Sequence, residues 1–269
     1  MAEKLQFAKY HGAGNDFVVV DDWDGRWALD LDSARVRAIC HRHFGVGADG
    51  MMLMQADEEV DYKMVYFNAD GHLSTLCGNG SRCLAHFAFE RGRIGRVGAF
   101  RAVDGVHRLS LQSDSAIELE MRPVVEMSRD GDDWVLDTGS PHLVRFVKNV
   151  REIAVDNLGR KIRQAPHYNK EGINVNFAEI YRDGLFVRTY ERGVENETLS
   201  CGTGVTAAAL SYAAMENLDA GTIPLYTRGG KLWVRFAKKD TAFEDVWLIG
   251  PAQRVFDGEL QLNDLTFPV

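Results

Sequence analysis

Two cysteines stand in matching frames. Cys77-Gly78-Asn79-Gly80 and Cys201-Gly202-Thr203-Gly204 each lead into small and apolar residues with helical character. A thiol just ahead of a helix lies beside backbone N–H groups that lack intrahelical acceptors. The helix dipole also favours an anion there, so such a cysteine can become a thiolate. A free thiol titrates at about 8.5, close enough to neutrality for proton exchange. Set on opposite faces of one ligand, one sulfur removes an α-proton and the other returns one, which is stereochemical inversion. A redox pair is the competing chemistry, but the usual dithiol motif places both sulfurs at one helix start, and only tertiary structure could join these two. Cys83 lies nearly two turns beyond Cys77 and reads as helix packing, and Cys40, on an apolar stripe, reads as core.

The surroundings of the cysteines are duplicated too. Tyr66-Phe67-Asn68-Ala69-Asp70-Gly71 precedes Cys77, Tyr190-Glu191-Arg192-Gly193 precedes Cys201, and Asn68 and Arg192 each lie nine residues ahead of their cysteine. Earlier still come two Gly-containing bends, His11 to Phe17 and Thr138 to Val144. The chain therefore reads as two halves built to one plan. Arg192 can grip a carboxylate through two parallel hydrogen bonds, and Glu191 can accept from an ammonium group; the alternative is a surface ion pair of little energetic consequence. His11 and His142, in the matching bends, either line the cleft or are structural histidines. Asn15, Asn68, Asn79 and Asn174 offer neutral donors and acceptors for a zwitterion, or cap local bends.

Composition narrows the classes. With 269 residues, 45% hydrophobic and 26% charged, the chain can support two domains and carries no disorder-prone tract. The net charge of -8 leaves Arg91 to Arg96 as the nearest basic cluster, which argues against nucleic acid. Met1 to Leu5 lacks an apolar signal region, and no run of eighteen apolar residues could cross a bilayer. A cytoplasmic protein with reduced thiols and no membrane association is expected. His41 and His43 lack cysteine partners at zinc spacing, so no metal is expected, and no Gly-x-Gly-x-x-Gly follows a strand, which argues against a dinucleotide fold.

The elements that must position these groups follow from periodicity. Phe17 to Val20, Met51 to Met54 and Tyr62 to Phe67 read as strands, and Ala34 to His41 as a helix capped by Asp32 or Ser33. Gly80 to Glu90 reads as a helix stopped near Gly92. Short strands then run from Val97 to Glu120, broken at Asp104-Gly105 and Ser113-Asp114. Pro123 marks the crossing between halves. Strands follow at Trp134 to Asp137, Leu143 to Val147, Ile173 to Phe177 and Leu185 to Tyr190. A helix from Val205 to Met215 comes next, and strands at 225–227, 231–236 and 246–249 complete the half. The fold class is α/β in the mixed α+β sense, with two pseudo-symmetric lobes, each a curved mixed sheet around a central helix. The expected lobes are 1–121 and 122–260, with 261–269 returning to the first.

The motifs His11-Gly12-Ala13-Gly14-Asn15-Asp16-Phe17, Asn68-Ala69-Asp70-Gly71, Cys77-Gly78-Asn79-Gly80, Gly139-Ser140-Pro141-His142, Glu191-Arg192-Gly193 and Cys201-Gly202-Thr203-Gly204 closely resemble the diaminopimelate epimerase family, across nearly the whole chain. The resemblance implies cofactor-independent epimerisation of LL-2,6-diaminopimelate to meso-2,6-diaminopimelate in a cleft between the lobes, within lysine and peptidoglycan-precursor biosynthesis. It implies that Cys77 and Cys201 are the acid/base pair, with His142 and Glu191 setting up the catalytic centre. Asn15, Asn68, Asn174, Glu191 and Arg192 become substrate contacts, with Gly78-Asn79 and Gly202-Thr203 as helix-end contacts. The partner is a small amino acid, and a homodimer is left open. Two departures stand out. Gly50 occupies a position where some members carry a substrate-contacting glutamine, and Ser140 replaces an asparagine, so that a water or a backbone shift is expected to restore its contact. The alternatives are a proline or hydroxyproline racemase, or a catalytically silent amino-acid-binding protein.

Overall fold

The computed structural model describes residues 4–74, 76–112 and 116–262. The chain divides into two compact units. One holds the described residues up to Leu119 together with those from Pro251 onward, and the other is Glu120–Gly250.

In the first unit, β1 (Lys4–Gly12) and β2 (Asn15–Asp21) form an antiparallel hairpin. Its turn residues Ala13 and Gly14 have φ of 52° and 84°, the doubly positive pattern whose twist matches that of the flanking strands. The short helix α1 (Arg26–Asp30) precedes α2 (Ser33–Cys40), whose first turn is capped as expected, with Arg35 N–H donating to the Asp32 side chain at 2.8 Å. Strand β3 (Gly50–Gln55) runs parallel to β2, and β4 (Tyr62–Asn68) antiparallel to β3. The central helix α3 (Gly78–Glu90) leads to β5 (Val97–Ala102), parallel to β4, followed by antiparallel β6 (Gly105–Leu111) and β7 (Ala116–Glu120). Every residue of β3 is buried, because the sheet is covered on both faces. Val18, Val20, Met51 and Leu53 join Val36, Ile39 and Cys40 of α2 in one core cluster. On the other face a side chain at Gly80 of α3 would collide with Met52. The break expected at Ser113-Asp114 lies outside the described residues.

The second unit repeats this order of pairings. β8 (Met127–Asp130) and β9 (Asp133–Asp137) are antiparallel, as are β9 and β10 (Pro141–Phe146). Helix α4 (Val155–Arg163) precedes β11 (Asn174–Tyr181), which runs parallel to β10 and antiparallel to β12 (Gly184–Glu191). After the short β13 (Asn196–Thr198) comes the central helix α5 (Gly202–Met215), then β14 (Ala220–Thr227), parallel to β12, and antiparallel β15 (Gly230–Lys239) and β16 (Ala242–Pro251). The Ala-rich α5 is buried along most of its length, as a helix apolar on all sides must be.

One boundary differs from the sequence expectation of a lobe running 122–260. Strand β17 (Gln253–Gln261) pairs antiparallel with β1, from Leu260 opposite Leu5 to Gln253 opposite His11, so the return begins at Pro251 rather than at 261. The reason is the repeat itself. In the second unit β9 is flanked by β8, whereas in the first unit the corresponding place beside β1 is taken by β17. Residues 263–269 of the expected return lie outside the described residues.

Candidate active site

Both central helices begin earlier than their apolar periodicity suggested, at Gly78 and Gly202 instead of Gly80 and Val205. Glycine's low helix propensity hides the first turn. As a result Cys77 and Cys201 are the N-cap residues, with φ/ψ of −115°/108° and −117°/115°. Their carbonyls accept the first helical hydrogen bonds, from Ser81 N–H at 2.7 Å and Val205 N–H at 2.9 Å. Neither thiol caps its own helix. Two cysteines are thus held in the same backbone frame at a helix start, where negative charge is favoured.

Around Cys77 the structure gathers Asn15 and Asn79. The Cys77 thiol donates to Asn15 Oδ1 at 3.6 Å, and Asn79 Nδ2 approaches the same oxygen at 3.4 Å. Asn15 is oriented from behind, its Nδ2 donating to Asp49 at 2.7 Å, while Arg42 pairs with Asp49 and Asp16. Burial alone would raise the Asp16 carboxyl, but hydrogen bonds from Arg42 and Lys9 overcome it and hold the group well below the usual carboxylate range. Asn68 ends β4 directly opposite Gly50. A side chain at Gly50 would meet the Phe67 carbonyl and the Tyr66 ring, each at 2.6 Å. Here, therefore, Tyr66 fills the space a longer residue at that position would need. His11 Nδ1 is buried without a hydrogen-bond partner.

The surroundings of Cys201 are richer in polar contacts. His142 is fully buried, and its Nδ1 lies 3.0 Å from Asn176 Nδ2. The amide orientation is determined by its other partners, because Asn176 Nδ2 also donates to the Leu143 carbonyl at 3.0 Å and Asn176 Oδ1 accepts from Thr189 Oγ1 at 2.8 Å. His142 Nδ1 is therefore the acceptor, and the proton of the neutral ring sits on Nε2. Burial, helped by the charge of Arg192, pushes the imidazole down to about 3, so it stays neutral near pH 7. Asn174 accepts from Arg192 N–H at 2.8 Å and donates to Ser140 Oγ at 2.8 Å, while Arg192 Nη2 reaches the same hydroxyl at 3.4 Å. Ser140 thus bridges the side chains of Asn174 and Arg192. Glu191 accepts from Thr198 Oγ1 at 2.9 Å, and Cys201 Sγ lies 3.4 Å from Thr203 Oγ1. Thr138 Oγ1 donates to the Thr203 carbonyl at 2.9 Å and ties the first turn of α5 to the bend before β10.

Three supporting residues escaped the sequence reading. Asn176 carried a usable signal, two positions from Asn174 and therefore on the same face of a strand. Arg82 carried one as well, a lone cation inside an apolar helix. Asp49 carried none, since only tertiary contact joins it to Asn15. Among the described residues, no group of three or more His, Cys, Asp or Glu side chains is placed to hold a metal ion, and all four cysteines are free thiols.

The chain is an amino-acid epimerase/racemase-type isomerase with a cysteine at the N-cap position of each unit's central helix. A profile described as diaminopimelate epimerase matches residues 7–124 and 134–255. Curated proteins of that name from Flavobacterium psychrophilum and Archaeoglobus fulgidus are 41% and 37% identical, over 94% and 99% of this chain and 99% and 100% of their own lengths. The chain belongs to the diaminopimelate epimerase family. Solved structures share the fold at lower identity. A phenazine biosynthesis protein from Bacillus anthracis has a TM-score of 0.75 at 16% identity, covering 96% of this chain and 99% of its own. A probable proline racemase from Agrobacterium radiobacter has 0.69 at 15%, covering 98% and 96%.

Proposed function

We propose that the chain interconverts LL- and meso-2,6-diaminopimelate by two-cysteine acid/base catalysis, with no cofactor. The observation that carries this reading is the pair of cysteine N-caps with nearly identical backbone angles, each at the start of a buried central helix. One sulfur, as thiolate, takes the α-hydrogen, and the other, as thiol, delivers its proton to the opposite face of the resulting carbanion. The protonation states of the two sulfurs are thereby exchanged, and proton exchange with solvent resets them. The mechanism requires both thiols to reach one α-carbon.

The remaining groups divide the substrate between them. Arg192 supplies a bidentate partner for a carboxylate, and Glu191 an acceptor for the ammonium. The first-turn amides of Gly78, Asn79, Gly202 and Thr203 hold negative charge as it develops on the α-carboxylate side. Asn15, Asn68 and Asn174 contact the remaining polar atoms. His142, neutral with its proton on Nε2, can donate a hydrogen bond without adding charge. The near-full-length relatives named diaminopimelate epimerase support this substrate over proline or hydroxyproline, since the racemase of similar fold is only 15% identical. The reaction would then serve lysine and peptidoglycan-precursor synthesis in the cytoplasm, where reduced thiols persist.

The test is incubation of the purified, reduced protein with each diaminopimelate stereoisomer in deuterated water. Interconversion of the LL and meso forms, with deuterium entering the α-position, is expected. Proline exchange without diaminopimelate exchange would replace the substrate, and binding of diaminopimelate without exchange would make the chain a binding protein.

A further inference from the structure

The surroundings of the two cysteines share a backbone frame but not a charge. Arg82, the fifth residue after Cys77, is completely buried in α3. Its Nη1 donates to the Gly78 carbonyl at 3.1 Å, its Nη2 donates to Asn79 Oδ1 at 2.8 Å, and its Nε has no hydrogen-bond partner. Among the described residues no carboxylate forms an ion pair with it. Burial draws the guanidinium down to about 10, opposed by the sulfurs of Cys83 and Cys77. In α5 the fifth residue after Cys201 is Thr206, whose hydroxyl donates to the Gly202 carbonyl at 2.9 Å. The hydrogen bond to the first-turn carbonyl is therefore kept in both helices, and the cation is present in only one.

We propose that Arg82 is a positioning residue that makes Cys77, rather than Cys201, the more readily ionised thiol of the pair, while orienting Asn79 and through it Asn15. Charges on the elements packed against α3 are largely neutralised by one another. Lys9 of β1 pairs with Asp16 of β2 at 2.6 Å, and Asp49 with Arg42 at 2.6 Å. Tyr10 of β1 donates to Glu90 of α3, beside His86, and Arg254 of β17 pairs with Glu90 and Asp257. Asp21 of β2 lies 3.6 Å from Arg93. His11 of β1 is the further titratable group there, burial raises the Cys83 thiol far above its ordinary value, and β3 carries no charge. Among the described residues around α3, Arg82 is left as a cation without a counter-ion.

The neutral contacts pull the other way. Asn15 Oδ1 accepts from the Cys77 thiol at 3.6 Å, and Thr203 Oγ1 lies 3.4 Å from Cys201 Sγ. Sulfur is a weak hydrogen-bonding atom, and a full charge in a dry interior outweighs such a contact. Arg192 of the second unit is only partly buried and already donates to the Glu171 carbonyl and Ser140, so solvent screens it more than Arg82.

The test is alkylation by iodoacetamide without substrate, followed at Cys77 and Cys201 by peptide mass spectrometry across roughly pH 5 to 10, a span that brackets ordinary thiol ionisation. In the native protein the Cys77 profile should rise at lower pH than that of Cys201. Arg82→Met should move the Cys77 profile upward by about one pH unit or more, slowing its labelling about tenfold at neutral pH, and leave Cys201 in place. Arg82→Lys should restore it. An unmoved Cys77 profile in Arg82→Met overturns the proposal. Should that variant fail to fold, a native Cys77 profile at or above that of Cys201 overturns it equally. The functional consequence rests on the proposed acid/base reading, but alkylation needs no turnover, so either can fail without the other.

Discussion

The buried imidazole of His142 makes a quantitative prediction about acid stability. In the unfolded chain this ring has its ordinary pKa of 6.5, whereas in the native unit burial and the charge of Arg192 push it down to about 3. Below 6.5 the unfolded state therefore binds a proton that the native state refuses. Stability is lost as the pH falls through that value, and the loss continues until about 3. At ~1.4 kcal/mol per pKa unit, the penalty from this one group between about pH 7.5 and about pH 5 is roughly 2 kcal/mol. The assay is urea unfolding at the two pH values, comparing the native chain with His142→Gln. The difference in pH dependence isolates the ring, whatever the variant costs at either pH. The native chain should lose about 2 kcal/mol more than the variant over that interval. Nitrogen-detected NMR should report a neutral ring with its proton on Nε2 throughout. Equal pH dependence, or a ring that titrates near 6.5, would refute the reasoning.

Cys77→Ala and Cys201→Ala should each abolish epimerisation, because one remaining thiol cannot serve both faces. Cys83→Ala, inside the α3 packing, should keep turnover and lose about 1 kcal/mol of stability, so near-full activity in either N-cap variant would refute the assignment. Gly204→Ala should be disruptive, because its methyl would collide with Asn176 Oδ1 and press on Thr189 Oγ1 at 3.1 Å. A loss of about 1–3 kcal/mol in thermal unfolding is expected, with turnover falling more than in a surface Gly→Ala control. An unchanged melting temperature would show that the first turn of α5 is not pinned by that pair.

Much of this protein is legible along its chain. The repeated Cys-Gly-x-Gly signature, the Asp32 cap, the two central helices and most strands follow from periodicity and turn chemistry. Those signals act between near neighbours, where 3.6-residue and 2-residue spacing translate directly into a buried face. Placing the cysteines as N-caps required the structure, because Gly78 and Gly202 depress helix propensity at the very turns that matter. The return of β17 to β1 was equally hidden. A strand's own residues announce that it will pair, but the partner is chosen by which edge the rest of the fold leaves open. The support behind the site is partly of the same kind. Asp49 behind Asn15 acts through a contact between residues distant in sequence, which no local spacing betrays, whereas Asn176 behind His142 and Arg82 in the first turns of α3 had a local signal whose meaning only burial and their partners disclose. The residue types and spacing determined which atoms are available for chemistry. Tertiary packing decided their tautomer, orientation and charge environment, because desolvation and hydrogen-bond direction exist only once each unit has folded around its own residues.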